Sequence, residues 1–257
     1  VSGGETTAGA IDNQIRNLVS KASHIHFTSA KEYSKKLITL GENKKNIYHV
    51  GSLSIDGIKN VKKISRDKII KTFRFNKNLP IVSFTYHPSS FEGGKSLDKK
   101  LSIIFNAISK FKLNLLISAP NLETGRSLVL KKIQSYCKKN KFWIYRSSLG
   151  FDSYQQVLMN CDFIIGNSSS GIIEAPYYKL PVINIGTRQK GRVRHKNIID
   201  VDYNSKKIVS SINLAKNIKF KNKIKKLKYK FGNGQAGAKI SKIILKEINN
   251  NKILIKE

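Results

Sequence analysis

Short apolar runs alternate with amphipathic stretches along most of the chain. The runs recur at regular intervals from about residue 80: IVSFTY (81–86), NLLISA (114–119), FWIYR (142–146), DFIIG (162–166) and PVINI (181–185). Continuous runs of this length, rich in Ile, Val and aromatic residues, are typical of strands that are buried on both faces. The intervening stretches, among them LDKKLSIIFNAISKF, SLVLKKIQSYCKK and DSYQQVLMN, carry apolar residues at helical spacing. The alternation predicts an α/β fold, a parallel sheet with helices on both faces.

The same rhythm occurs near the start of the chain. A helix is predicted around Asp12–Lys21, then the strand HIHFTS, a helix to about Leu40 and the strand NIYHVG. No strand pattern follows until the first of the later runs. The predicted organisation is therefore a first lobe at 1–55, an inter-lobe connection at 56–79, a second lobe at 80–204 and a helical, Lys-rich tail at 205–257 that is broken at FGNGQAGAK.

Composition narrows the class of protein. The chain has 257 residues and 40% hydrophobic content, enough for one large or two modest domains with buried cores. It contains two cysteines, Cys137 and Cys161, too few for a disulfide scaffold or a zinc site. The opening VSGGETTAGAIDNQ lacks the basic start and apolar core of a secretory signal, and no run reaches the roughly 18 apolar residues of a membrane span. We expect a cytoplasmic protein without metal, cofactor or membrane partner.

The net charge of +32 makes nucleic acid an alternative ligand. Of the 48 basic residues, however, 40 are Lys, and Arg forks with aromatic stacking, the usual means of reading bases, are scarce. The densest run, Lys216–Lys230, is interpreted as a helix with Ile224, Leu227 and Phe231 inward and its lysines in water. The charge is therefore interpreted as a solvated face that attracts an anionic substrate, and no nucleic-acid partner is expected.

Polar residues follow each predicted strand of the second lobe. Ligands of parallel α/β sheets bind beyond the carboxyl ends of the strands. Those ends read Tyr86-His87-Pro88, Ala119-Pro120-Asn121, Arg146-Ser147-Ser148-Leu149-Gly150, Gly166-Asn167-Ser168-Ser169-Ser170-Gly171 and Ile185-Gly186-Thr187-Arg188-Gln189. The concentration of hydrogen-bonding groups predicts a ligand site at this edge.

The segment IIGNSSSGIIEAP (164–176) carries the sharpest pattern. A buried strand ends at Gly166, and serines then open a predicted helix whose free N–H groups and hydroxyls suit a diphosphate. Glu174 lies one turn after Ser170, where a carboxylate can bind the two hydroxyls of a ribose. The alternative is a serine N-cap cluster with a Glu near the helix start, as many helices have.

Arg188 and His87 are the next candidates. The planar fork of Arg188 suits phosphate oxygens, unless the residue only belongs to a basic surface loop. His87, held extended before Pro88, either binds phosphate or moves a proton, or is structural. Asn121, with Glu123 and Arg126, either joins the site or caps a loop.

A Gly-rich turn near the start, SGGETTAGAID (2–12), offers a pair of carboxylates. Glu5 and Asp12 are the residue types that acid–base removal of a sugar proton requires. Asp12 is alternatively the N-cap of the helix that follows.

Together these segments resemble the hydrolysing UDP-N-acetylglucosamine 2-epimerases of sialic-acid-type biosynthesis. The matching pieces, in order over about residues 1–200, are SGGETTAGAIDNQIR, HIHFTSAKEYSKKLITLGE with NIYHVGSLSIDGI, TYHP, PNLETG, SLGFDSY, GNSSSGIIEAP and INIGTRQKGR, and FGNGQA echoes a later motif. The resemblance implies two Rossmann-like lobes of GT-B type with a nucleotide in the cleft. It also implies that this chain, which begins at Val1 within a motif, lacks most of the N-terminal lobe and is inactive alone, and that the full-length protein is a homodimer.

The resemblance also assigns roles. It implies that Ser168, Ser169, His87 and Arg188 face the diphosphate, that Glu174 faces the ribose, and that Leu149, through its backbone, faces the uracil with Asn121 nearby. Ser170, Gly171 and Gln189 are further expected substrate-binding residues. Asp12 matches a catalytic carboxylate. Some relatives carry a Glu before the Gly-Gly pair, where this chain has Ser2, so Glu5 after the pair is the candidate for the second acid, and His87 is a further catalytic candidate.

The implied reaction converts UDP-GlcNAc and water to N-acetylmannosamine and UDP. A base takes the proton from sugar C2 as UDP leaves C1, and water then adds to the glycal intermediate. The alternatives are the same reaction on UDP-2,4-diacetamido-2,4,6-trideoxyglucose or GDP-GlcNAc, feeding legionaminic-type acids, a non-hydrolysing epimerase, a retaining glycosyltransferase of the same fold and, in another class, a charge-driven nucleic-acid-binding protein.

Overall fold

The computed structural model describes residues 1–7, 12–89 and 94–249. Within them the helices are α1 (Asp12–Ala22), α2 (Lys31–Thr39), α3 (Leu53–Asn60), α4 (Arg66–Phe73), α5 (Gly94–Ile108), α6 (Arg126–Lys139), α7 (Gly150–Asn160), α8 (Ser170–Ile173), α9 (Ser205–Lys216), α10 (Ile218–Lys225) and α11 (Ala236–Asn249). The strands are β1 (His26–Thr28), β2 (Ile47–His49), β3 (Ile81–Thr85), β4 (Asn114–Ser118), β5 (Trp143–Arg146), β6 (Phe163–Gly166), β7 (Val182–Ile185) and β8 (Ile198–Val201).

The chain divides into two compact units. Unit 1 comprises Val1–Asn60, Lys190–Val193 and the described chain from Lys228 onward. Unit 2 comprises Val61–Gln189 and Arg194–Leu227. The predicted connection at 56–79 thus contributes α3 to unit 1 and α4 to unit 2, and the tail from residue 205 is divided between the units.

Unit 2 is built on a six-stranded parallel sheet in the order β5-β4-β3-β6-β7-β8. Successive side chains of each strand enter opposite cores, as the two-residue period of a strand requires. Val82 and Phe84 pack with α5, α6 and α9 on one face, whereas Ile81 packs with α4 and α7 on the other. Helices therefore cover both faces, and the predicted α/β architecture is confirmed.

The strand order creates a reversal between β3 and β6. Chain connections leave these two neighbours in opposite directions, which opens a crevice beyond their carboxyl ends. The strands approach closely at Gly166, where a Cβ would lie 1.9 Å from the carbonyl oxygen of Thr85. Only glycine fits this contact, which also has a φ of 137°.

Unit 1 contains the parallel pair β1 and β2, whose register places Phe27 opposite Tyr48. Phe27, Val50 and Ala236 form a small buried cluster. Asp56 of α3 accepts hydrogen bonds from the first N–H groups of α11, those of Ala236 at 3.0 Å and Gly237 at 2.6 Å. The carboxylate satisfies donors at the start of that helix, which have no partner within it.

Two details differ from the prediction. The strand β8 was not predicted, because IIDV is short and, at the sheet edge, only half buried, so it shows neither an apolar run nor a clear alternation. The helix expected over Lys216–Lys230 is α10 alone. Ile224 is buried in it as predicted, but Leu227 and Phe231 follow its end, and Phe231 belongs to unit 1.

Candidate active site

The carboxyl edge of the unit 2 sheet carries a cavity of about 390 Å³. It opens beyond the ends of β3 and β6, where the chain connections leave in opposite directions. This is the place at which doubly wound sheets bind ligands. Hydroxyl groups dominate its polar lining, which comprises Thr85, His87, Ser118, Ser147, Ser148, Leu149, Gly150, Phe151, Tyr154, Ser168 and Ser170. Four of the predicted site residues, His87, Leu149, Ser168 and Ser170, therefore share one cavity.

Asn167 joins the ends of β3 and β6. Its Oδ1 accepts a hydrogen bond from the N–H of His87 at 2.7 Å, and its Nδ2 donates to the carbonyl of the same residue at 2.7 Å. The two hydrogen bonds of this buried amide thus link the chain after β6 to the chain after β3, as a further pair of sheet hydrogen bonds would. The sequence analysis did not single out Asn167. The signal for it was an amide placed directly after a buried strand.

The imidazole of His87 is held as a neutral group. The N–H of Asn121 donates to Nδ1 at 3.0 Å, which assigns the ring proton to Nε2. Burial, and then the positive charge of Arg188, lower the pKa of His87 to about 4. At neutral pH His87 is therefore a hydrogen-bond donor through Nε2 and not a cation.

Arg188 and Gln189 are buried beside the end of β6. Gln189 donates from Nε2 to the carbonyl of Asn167 at 2.7 Å, and Arg188 donates from Nη1 to the same carbonyl at 3.5 Å. Arg188 Nη2 also lies 3.3 Å from Oε1 of Glu123, which accepts a further hydrogen bond from the side chain of Asn121. Of the two alternatives considered from the sequence, a loop cap or a member of the site cluster, Glu123 therefore fits the second.

Several buried polar atoms of this cluster lack a partner among the described residues. They are Nε of Arg188, Oε1 of Gln189, Oδ1 of Asn121 and Oε2 of Glu123. Of these four atoms, Nε of Arg188 is a donor that an anionic group can accept from, and the other three are acceptors.

The serine segment is a tight turn and not the start of a long helix. Ser168 Oγ accepts a hydrogen bond from the N–H of Ser170 at 3.3 Å, and α8 then runs for a single turn. The expected contribution of a helix dipole is therefore small, because it grows with aligned peptide units. The alternative of a serine N-cap cluster is met in part, because Ser169 makes no side-chain cap but Ser168 accepts from the first N–H of α8. Gly171 is explained by packing: a Cβ there would lie 2.9 Å from Val182.

Glu174 is adjacent to Ser170 as its spacing predicted. Ser170 Oγ donates to Glu174 Oε2 at 2.9 Å, and Gln155 Nε2 donates to the same oxygen at 2.9 Å. Tyr154 and Tyr178 complete the group through Ser170 and Gln155 respectively. Sequence analysis missed Gln155. The signal for it was an amide on the otherwise apolar buried face of α7, beside Val157 and Leu158.

The two predicted carboxylates lie in unit 1. Glu5 is buried, accepting from Ser29 Oγ at 2.8 Å and pairing with Arg192 Nη2 at 3.4 Å. Asp12 is exposed and is the first residue of α1, in its first turn rather than at the N-cap. Residues 8–11 of the motif that links them are outside the described residues. No cluster of three or more potential metal ligands occurs in the described parts of the chain.

A doubly wound parallel sheet with a polar cavity at its switch point defines a Rossmann-type unit. The profile of the family described as UDP-N-acetylglucosamine 2-epimerase matches residues 1–245. The chain therefore belongs to the UDP-N-acetylglucosamine 2-epimerase family.

Individual relatives agree with this assignment. The chain is 38% identical over 205 residues to the GDP/UDP-N,N'-diacetylbacillosamine 2-epimerase (hydrolysing) of Campylobacter jejuni, covering 79% of this chain and 53% of that protein. It is 34% identical over 223 residues to the hydrolysing UDP-N,N'-diacetylbacillosamine 2-epimerase of Legionella pneumophila, covering 86% and 58%. The crystal structure of the Neisseria meningitidis UDP-GlcNAc 2-epimerase bound to UDP-GlcNAc is similar in fold, with a TM-score of 0.78 at 17% identity over 95% of this chain and 68% of that chain.

The comparisons confirm the GT-B type α/β fold. The chain spans about half the length of the curated relatives it matches. Among the described helices, none is long and apolar enough to cross a membrane.

Proposed function

We propose that the complete protein containing this chain is a hydrolysing 2-epimerase of a nucleotide-linked 2,4-diacetamido-2,4,6-trideoxyglucose. The observation that carries this proposal is the 38% identity to the Campylobacter enzyme, whose name gives that sugar class and either GDP or UDP as the nucleotide. The Legionella relative, with the same sugar in its name, adds support. We also propose the domain limits inferred from the sequence, in which the lobe at 80–204 binds the nucleotide.

Unit 2 supplies the groups that a nucleoside diphosphate requires. Arg188 offers a partly unpaired guanidinium, and the neutral His87 offers an Nε2–H. With the hydroxyls of Ser168 and Ser169 these donors bind the diphosphate. The hydroxyl of Ser170 donates to Glu174 instead. Glu174 binds the ribose, and the backbone of Leu149, at the start of α7, contacts the base near Asn121.

The reaction follows from acid–base chemistry at the sugar. A carboxylate takes the proton from C2 as the C1–O bond to the diphosphate breaks, leaving a C1=C2 double bond. Water then adds at C1 while a proton arrives at C2 from the other face, giving the free 2-epimeric sugar and the nucleoside diphosphate. Donors already placed around the departing diphosphate stabilise the charge that develops on it. Asp12 and Glu5 are the proposed acid–base pair.

The test is proton NMR of the full-length protein in deuterated water with UDP-2,4-diacetamido-2,4,6-trideoxyglucose. We expect free 2-epimeric sugar with deuterium at C2, together with UDP. Arg188→Gln should lower the rate by about 100-fold or more, since one lost donor to a developing anion has an effect of that order. The matched control Arg74→Gln, at an exposed position, should retain the wild-type rate. The GDP-linked sugar is run in parallel, and failure to turn over either the UDP- or the GDP-linked substrate, with active control enzymes, would refute the proposal.

UDP-GlcNAc is the second candidate substrate, favoured by the description of the family that matches most of the chain. Running both sugars in one competition experiment separates the two. Preferential release of N-acetylmannosamine would move the assignment to UDP-GlcNAc while retaining the reaction.

A further inference from the structure

Gln155 is fully buried in α7, and both ends of its amide are hydrogen-bonded. Nε2 donates to Oε2 of Glu174 at 2.9 Å, and Oε1 accepts from the hydroxyl of Tyr178 at 3.0 Å. Burying an amide without partners is unfavourable, so this residue is tolerated because both partners are present. The arrangement also fixes which end of the amide faces the carboxylate.

The hydrogen bonds around Glu174 run in one direction. Ser170 uses its single hydroxyl proton on Oε2, so the contact of Ser170 Oγ with Tyr154 OH at 2.8 Å has the tyrosine as donor. Burial, and then the negative charge of Glu174, raise the pKa of both Tyr154 and Tyr178, which keeps the phenols protonated. Two chains of donors therefore converge on one carboxylate oxygen.

The other oxygen of Glu174 remains available. No hydrogen bond from the described residues reaches Oε1, and the residue is half-buried. Ser170, which donates to the opposite oxygen, and Tyr154, which donates to Ser170, line the cavity at the switch point. The carboxylate is thus held on Oε2, whereas Oε1 has no hydrogen-bond partner among the described residues.

We propose that Gln155 is a positioning residue that orients the open oxygen of Glu174 toward the 2'-hydroxyl of the nucleotide and so gives the site its preference for ribonucleotides. Tyr178 fixes Gln155 in turn. This inference rests on the proposed function, because it requires a nucleotide in the cavity.

The experiment compares UDP with 2'-deoxy-UDP by isothermal titration calorimetry on the full-length protein. A hydrogen bond to a charged group contributes about 1.5–3 kcal/mol, so the wild type should prefer UDP by about 10- to 100-fold. Gln155→Met conserves volume but removes both hydrogen bonds. The preference should fall below about threefold, while the affinity for 2'-deoxy-UDP changes by less than about twofold.

Two further variants make the test specific. Tyr178→Phe removes only the hydroxyl that holds Gln155 and should lower the preference in the same direction by a smaller factor. Gln156→Met, the same change one position along α7 at a residue that contacts the carbonyl of Lys62, should leave it unchanged.

The outcomes separate the two proposals. An equal loss of affinity for both nucleotides in Gln155→Met and in Tyr178→Phe would show a structural role and overturn the inference. An undiminished preference for UDP in both variants would overturn it as well, with the proposed function intact. A wild-type protein that binds neither nucleotide would overturn both.

Discussion

Unit 1 and unit 2 each contain a glutamate in a Gly- or Ser-rich loop, and the structure treats them differently. In unit 1 both oxygens of Glu5 have protein partners, Ser29 on Oε1 and Arg192 on Oε2. In unit 2 the partners of Glu174 converge on Oε2 alone. Glu5 is paired with a cation and a hydroxyl group, one on each oxygen. Glu174 has two neutral donors, both on the same oxygen.

The difference separates two uses of the same residue type. Glu5 neutralises a buried arginine and joins the N-terminal loop to the Lys190–Val193 segment of unit 1, so its removal affects stability. Glu174 has an oxygen without a hydrogen-bond partner among the described residues, so we expect its removal to affect ligand binding more than stability. The catalytic role inferred for Glu5 stays a prediction, and it requires that Arg192 and Ser29 release or share the carboxylate during the reaction.

The largest effect on stability is expected at Glu5. Glu5→Gln keeps an acceptor for Ser29 but leaves the buried Arg192 without its counter-charge, which should destabilise unit 1 by about 3–5 kcal/mol. Native-state hydrogen exchange of unit 1 amides measures this loss. The matched control Glu32→Gln removes the half-exposed partner of Lys230, and about 0–1 kcal/mol is expected. Equal effects in both variants would erase the contrast between buried and exposed pairs.

Lowering the pH should destabilise unit 2 because of His87. Its pKa is about 4 in the folded chain, below the ordinary value of 6.5, so the unfolded imidazole binds a proton first as pH falls. The stability of unit 2 is therefore present above pH 6.5 and is lost toward pH 4, by up to about 3 kcal/mol from this group. Hydrogen exchange of unit 2 amides against pH should show this slope.

The slope should diminish in His87→Gln, whose amide oxygen can still accept from Asn121, and persist in the control His24→Gln in unit 1. A slope that is identical in all three proteins would mean that folding does not lower the pKa of His87.

A smaller effect is expected at Glu174. Glu174→Gln keeps an acceptor for Gln155 and Ser170 but removes the charge, so the affinity for UDP should fall by about 10- to 100-fold. Calorimetric titration measures the affinity, and hydrogen exchange should show a smaller loss of stability than in Glu5→Gln. The comparison fails if Glu174→Gln destabilises unit 2 as strongly as Glu5→Gln destabilises unit 1.

Local pattern accounts for most of the elements. The five apolar runs from residue 81 onward are strands, and the stretches between them are helices, because burial on both faces demands continuous apolar residues. The same logic placed the polar strand ends, and with them His87, Leu149, Ser168 and Ser170, at one edge. It failed for β8, whose position at the edge of the sheet leaves it half exposed.

The sequence by itself thus determined the fold class, the family and the edge of the sheet that carries the site. Only the tertiary structure decided which polar groups meet: Asn167 with His87, Gln155 with Glu174, and Glu5 with Arg192. These partners are 80, 19 and 187 positions apart. Strand and helix periods are local properties of the chain, whereas the choice of a hydrogen-bond partner depends on which strands become neighbours and how tightly their ends pack.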